Sequence, residues 1–198
     1  MFSPSIEGAL AAALSAHQGQ LRKGSSVPYA VHPLHVALML ARWGLDEEVI
    51  VAGLLHDVVE DCKDAGWTLE RVERDFGARV AALVGELSED KSRSWPERKR
   101  WAIDHVPHMS PQAASVKAAD KLHNLQSLAA DLRKAPDPDA VWKHFNGGRE
   151  ETLRMSRELV DALATRVEPR ISRALHAGLK AVLDLAQPAR APRVAGRP

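Results

Sequence analysis

The stretch Ala52-Gly53-Leu54-Leu55-His56-Asp57-Val58-Val59-Glu60-Asp61 sets an imidazole and a carboxylate where an apolar helix would carry Leu or Val. Glu60 and Asp61 follow one helical turn after His56 and Asp57, on the same helix faces. Two further polar clusters interrupt apolar patterns: His32-Pro33-Leu34-His35 upstream and Asp120-Lys121-Leu122-His123-Asn124 far downstream. Metal-assisted hydrolysis needs several fixed ligands and at least one open position. Imidazole plus carboxylate suits borderline and hard divalent ions such as Mn, Fe, Zn or Mg. His32, His56, Asp57 and Asp120 supply two imidazoles and two carboxylates, so one metal site assembled from separate helices is expected. Adjacent helical residues point about 100° apart, so His56 and Asp57 reach one ion only if it sits over the helix edge.

The acid pair Glu60-Asp61 lies one turn beyond the expected ligands, close enough to orient an attacking water or accept its proton. A solvated helix end is the plain alternative, but acids at a helix C-terminus oppose the dipole. A lone His-Asp pair is more often a core histidine beside a surface acid; the downstream acids and the Asp120 cluster reverse that balance. His35, His105, His108, His123, His144 and His176 stay outside the expected shell, with His35 in reserve one turn after His32. Gln20-Leu21-Arg22-Lys23-Gly24 is a basic, glycine-bounded loop. Arg22 and Lys23 could hold phosphates or stack on a purine, although such pairs are common on surfaces. Asn124 and Ser127 share a helix face with Asp120 and are candidates to line a pocket beside it.

Positioning these residues requires helices. Ser5 is expected to cap a first helix running through Ile6, Leu10 and Ala13 to about His17. Breakers make 18–29 a loop; Pro33 suits the first turn of a second helix, and Gly44 its end. Asp46 caps a third helix expected to reach Asp61, Thr68 a short fourth that Gly77 breaks, and a fifth carries Val80, Leu83, Val84 and Leu87. Glu89 to Pro96 is polar and reads as a mobile loop, followed by a helix to about His108. Ser110-Pro111 opens a helix to about Leu132; two more span about 139–167, kinked at Gly147-Gly148, and 169–186. No strand-like alternation persists and no internal repeat is present. The expected class is all-α, with one domain over 1–187 and a disordered Pro/Ala/Arg tail over 188–198.

Composition narrows the function classes. The 198 residues suffice for one sizeable core, and a net charge of +1 favours neither nucleic acid nor an acidic membrane. Cys62 is the single cysteine, which excludes an intrachain disulfide and suits a reducing cytosol. The N-terminal residues lack the pattern of a signal peptide, and no apolar run is long enough to span a bilayer.

Ala16-His17-Gln18-Gly19-Gln20-Leu21-Arg22-Lys23-Gly24, Pro28-Tyr29-Ala30-Val31-His32-Pro33-Leu34, Gly53 through Asp61, Phe76-Gly77 and Val116 through Leu125 stand in this order. In these motifs the chain resembles the HD-domain hydrolase of the RelA/SpoT alarmone enzymes, over about residues 9–132. The His-Asp pair alone would indicate only the wide HD superfamily; the basic loop, His-Pro, Glu-Asp and Asp-Lys-Leu-His-Asn-Leu together are far more specific. The resemblance implies an HD-type helical bundle in which His32, His56, Asp57 and Asp120 bind one Mn²⁺ and Glu60 and Asp61 handle the water. It implies that Arg22 and Lys23 contact the guanine side, and that Asn124 and Ser127 contact the sugar or base region. The implied substrates are ppGpp and pppGpp, cleaved at the 3′-pyrophosphate to GDP or GTP, in the cytoplasm. The chain is too short to add a synthetase or regulatory domains, so it is similar to the stand-alone small alarmone hydrolases. Cys62 stands where that family usually has Thr, and the region after Leu132 matches poorly, leaving Lys143 and Arg149 as guesses for distal phosphates. Hydrolysis of another nucleotide such as NADPH and a non-catalytic alarmone-binding module are the alternatives; binding of RNA by the arginine-containing tail is disfavoured by the neutral charge balance.

Overall fold

Caps written into the sequence set most element boundaries. A computed structural model describes residues 2–187; the expected tail, 188–198, lies outside them. Helix α1 spans Pro4–Ala16, and its cap is Ser3, not Ser5: Ser3 Oγ accepts the Ile6 N–H at 3.2 Å. Pro4 explains the shift, because proline suits the first helical position and holds the residue before it extended. The following loop folds back on itself through an antiparallel bridge between Leu21 and Pro28, with Arg22 N–H donating to Val27 O and Tyr29 N–H to Gln20 O. Gly24 has φ +70°, and a Cβ there would lie 2.8 Å from the His144 ring. Helix α2 runs Val31–Arg42, and Gly44 follows it with φ +73°.

Asp46 caps α3 as expected, its carboxylate accepting the Val49 N–H at 3.1 Å. The helix stops at Leu55, however, and a separate turn, α4, spans Val58–Asp61. His56 Nδ1 lies 2.8 Å from the Gly53 carbonyl, the acceptor that an uninterrupted helix would offer to the Asp57 N–H. Side chain competes with ladder, and the helix breaks between the two chemically important residues. Beyond it come α5 (Leu69–Phe76), capped by Thr68, and α6 (Ala78–Leu87). A seven-residue connection, 88–94, leads to α7 (Trp95–His105), which opens on a Ser94/Glu97 capping box. Helix α8 (Pro111–Lys134) is capped by Ser110. Then follow α9 (Pro138–Trp142), α10 (Gly148–Ala164) and α11 (Pro169–Leu185), so the expected kink near Gly147 is a full break. No strand occurs among the described residues, and no helix there is long and apolar enough to cross a membrane. The fold is all-α.

Two apolar cores share α8. Its first half supplies Ala113, Ala114, Val116 and Ala119 to a core with α1, α2, α3, α5 and α6. Its second half supplies Leu122, Leu125, Leu128 and Leu132 to a core with α10 and α11. Asp120 and Asn124 sit on α8 where one core gives way to the other. Helices α2 and α3 approach closely because Gly53 has no side chain: a Cβ there would lie 2.4 Å from Cδ1 of the fully buried Leu40. Overpacking a filled core typically costs about 1–3 kcal/mol. Gly53→Ala is therefore expected to lose about that much stability in urea denaturation; an unchanged midpoint and slope would show that Leu40 can yield.

Candidate metal centre

Four elements converge on one cluster. Helix α2 brings His32, the α3–α4 break brings His56 and Asp57, α8 brings Asp120, and the loop before α2 brings Tyr29. His32 and His56 are almost fully buried, at 1% and 3% exposure, in a region where a histidine needs a polar partner. The ligand atoms of His32, His56 and Asp57 all lie within 4.8 Å of one another. His32 Nε2 stands 3.2 Å from His56 Nε2, 3.5 Å from Asp57 Oδ2 and 3.3 Å from Asp120 Oδ1. His56 Nε2 stands 3.2 Å from Asp57 Oδ2. Three of the expected ligand residues thus face one small volume, and Asp120 adjoins it through His32 without joining the group whose ligand atoms all lie within 4.8 Å of one another.

The donor set fits a divalent cation. The Gly53 carbonyl can only accept, so His56 Nδ1 carries a proton and its Nε2 is turned to the cluster. Burial pulls the His56 imidazole down, but the neighbouring Asp57 carboxylate outweighs it and holds the group up at about 9. Burial would raise Asp57, yet His56 and His32 hold it well below the usual carboxylate range. Asp120 is likewise held low, against burial, by the His32 hydrogen bond and the Lys117 charge. The two carboxylates favour positive charge in the cluster, a duty that a divalent ion bound there would take over from a proton.

A second layer braces these groups, and sequence reasoning missed it. The Tyr29 hydroxyl, pushed far above its ordinary range by burial and by Asp57, donates to Asp57 Oδ2 at 2.6 Å. His123 Nδ1 lies 2.8 Å from His32 Nδ1; burial, then the neighbouring His32 and Arg22, push His123 down to about 3, so it stays neutral. His35 packs on His123, with ring centroids 4.8 Å apart, one step removed from the cluster. Lys117, on the turn of α8 before Asp120, stands 3.7 Å from Asp120 Oδ2. The spacing of Lys117 and His123 three residues either side of Asp120 was the available signal, but nothing local distinguishes those two from packing residues.

The acid pair divides. Glu60 is enclosed, and burial pushes its carboxyl up to about 7; its Oε1 accepts the Glu89 N–H at 2.6 Å. Asp61 is more open and pairs with Lys91. Glu89 itself is buried, so the segment expected to be mobile is anchored at its start. The basic loop divides as well. Arg22 donates to Asn124 Oδ1 at 2.7 Å and lies over the Tyr29 ring at 5.5 Å, while Asn124 donates to Asp120 Oδ1 at 2.5 Å. Lys23 is exposed and turns instead to a cavity of about 280 Å³ that Lys134, Val141, His144 and Phe145 also line. Ser127 lies one turn beyond Asn124, half-buried, with no hydrogen bond to this cluster among the described residues.

The HD-domain family model matches residues 9–151. The guanosine-3′,5′-bis(diphosphate) 3′-pyrophosphohydrolase MESH1 of Danio rerio is 45% identical over 132 residues, covering 65% of this chain and 72% of that protein. The Homo sapiens protein of the same name is 42% identical over 153 residues, covering 74% and 84%. Among solved structures, a metazoan ortholog of SpoT that hydrolyses ppGpp superposes with a TM-score of 0.75 at 31% identity, covering 91% of this chain and 96% of that one. The fold, the cluster and these likenesses agree: the chain belongs to the HD-domain family, among the small alarmone hydrolases related to metazoan SpoT.

Proposed function

We propose that this chain removes the 3′-pyrophosphate of ppGpp and pppGpp, giving GDP or GTP plus pyrophosphate, with Mn²⁺ held by His32, His56, Asp57 and Asp120. The observation that carries the reading is the meeting of His32 Nε2, His56 Nε2 and Asp57 Oδ2 within 4.8 Å, in a chain 45% identical to a named 3′-pyrophosphohydrolase. A bound divalent ion would polarise the phosphoryl group and acidify the water that attacks it. Glu60, with its carboxyl up at about 7, is tuned to accept that proton near neutrality, and Asp61 beside it orients the water. Arg22, already fixed by Asn124 and Tyr29, meets the guanine side of the nucleotide; Lys23 flanks it, and Asn124 and Ser127 line the sugar side. The free Cys62 is in keeping with action in the reducing cytoplasm. Purified protein with Mn²⁺ and a panel of ppGpp, pppGpp, NADPH and ordinary nucleotides tests the assignment; turnover of NADPH alone would reassign the substrate while leaving the metal site standing.

His56→Ala and Asp57→Ala are each expected to lose bound metal and activity together, because each removes a ligand. Elemental analysis beside the assay decides it, and one full equivalent of metal with parent activity in either variant would refute the shell.

Glu60→Gln and Asp61→Asn should keep metal content and nucleotide binding while turnover falls by about 10²–10⁴-fold. A base must be ionised, so the parent rate should climb with pH, with a limb at or below about 7 that Glu60→Gln lacks. Parent-like turnover in both variants would leave the acid pair as a mere helix end.

Arg22→Ala should weaken nucleotide affinity by about tenfold or more, while the four ligands keep their ion. A charged hydrogen bond is typically worth about 1.5–3 kcal/mol. Calorimetric titration with a non-hydrolysable alarmone would return Arg22 to the surface category if the affinity did not move.

A further inference from the structure

Both acids assigned to the water are gripped by one short segment. The Glu89 N–H donates to Glu60 Oε1 at 2.6 Å, and Lys91, two residues on, pairs with Asp61. A connection of this kind, polar and open to solvent at Asp90, Ser92 and Arg93, would ordinarily wander. Here its first acid turns inward. The Glu89 side chain is only 5% exposed, and its carboxylate receives Lys99 Nζ at 2.8 and 3.1 Å. Lys117 Nζ stands 4.0 Å away on α8, and the Arg98 guanidinium lies 3.5 Å away. Lys117 also faces Asp120, so the same lysine touches the anchor of the segment and one expected ligand. A buried carboxylate with several cationic partners is held firmly, because without them its charge would stand unpaired in a medium that solvates it poorly.

We infer that Glu89 is a positioning residue for the reaction: its carboxylate ties the 88–94 segment to Lys99 and Lys117, and the segment sets Glu60 through the Glu89 N–H and Asp61 through Lys91. The inference rests on the assignment of Glu60 and Asp61 to the water. Glu89 touches neither the cluster of expected ligands nor the basic loop, so its loss should act on turnover and leave binding alone. A misplacement of about 1 Å at a reacting group can cost on the order of 10²-fold.

The test has two readouts. The amide proton of residue 89, donated to a carboxylate, should resonate far downfield in the parent NMR spectrum and resist exchange. In Glu89→Gln the resonance should move upfield and exchange faster; if it stays in place, the carboxylate does not hold the segment and the inference falls. In the Mn²⁺-loaded protein with ppGpp, Glu89→Gln should lower kcat by roughly 10²-fold with KM and metal content unchanged. An unchanged kcat, or a rise in KM alone, overturns the inference. Lys99→Gln removes one partner at the solvent edge and leaves the buried acid in place, so it should shift both readouts the same way but less, even should Glu89→Gln fold poorly. If the parent does not turn over ppGpp, the proposed function fails, and the amide readout still decides whether Glu89 holds the segment.

Discussion

Balance of buried charge is the constraint on which the rest of this molecule depends. Two imidazoles and two largely buried carboxylates cannot share a volume a few ångströms wide unless positive charge is supplied in proportion. Asp57 favours the protonated His56 imidazole, and Lys117 behind Asp120 supplies further positive charge. Removing one partner would strand the others in a medium that solvates them poorly. The cluster is therefore a unit, and a divalent ion bound among His32, His56 and Asp57 would supply that counter-charge.

Helical architecture is what brings these groups together without buried loops. Gly53 lets α2 and α3 come close enough for His32 and His56 to face each other, and the same residue's carbonyl takes the His56 imidazole and ends the helix. One glycine thus contributes both spacing and orientation. The crossing of α8 between two apolar cores has a parallel effect. Asp120 and Asn124 stand at the seam, where neither core demands an apolar side chain, while Val116 and Ala119 anchor the helix in one core and Leu122 and Leu125 in the other.

Much of this was legible in the chain, and the exceptions share a cause. Asp46, Thr68 and Ser110 announce helices through a cap-to-backbone bond three residues long, and those boundaries hold. The meeting of His32, His56 and Asp57, with Asp120 beside His32, is legible because a polar residue in an apolar helical pattern is conspicuous wherever it falls. Tyr29, His123, Lys117 and Glu89 are not, because their partners are remote in sequence: His32 and His123 are 91 residues apart, and Glu60 and Glu89 are 29 apart. A tyrosine in a loop or a lysine on a helix is locally unremarkable in kind; only the fold gives it a carboxylate to hold. The break at His56-Asp57 escaped for a different reason. Propensity and periodicity favour a continuous helix there, and one imidazole-to-carbonyl bond overrules both.

The same long-range pairing explains why adjacent cations have different surroundings. Arg22 is drawn inward by Asn124 and by the face of Tyr29, and through them it connects to Asp120 and to Asp57. The planar guanidinium can donate in its own plane while its face lies against a ring, and a lysine ammonium at this position could not do both. Lys23, one residue on, has no such partners and faces a cavity beside His144. Lys23 sits at the start of the turn that the Leu21–Pro28 bridge closes, whereas Arg22, whose N–H donates to Val27 O, stays beside that bridge. Arg22 is thus fixed by the groups that also orient Asp120 and Asp57, so this end of the basic loop and the buried cluster belong to one hydrogen-bonded assembly.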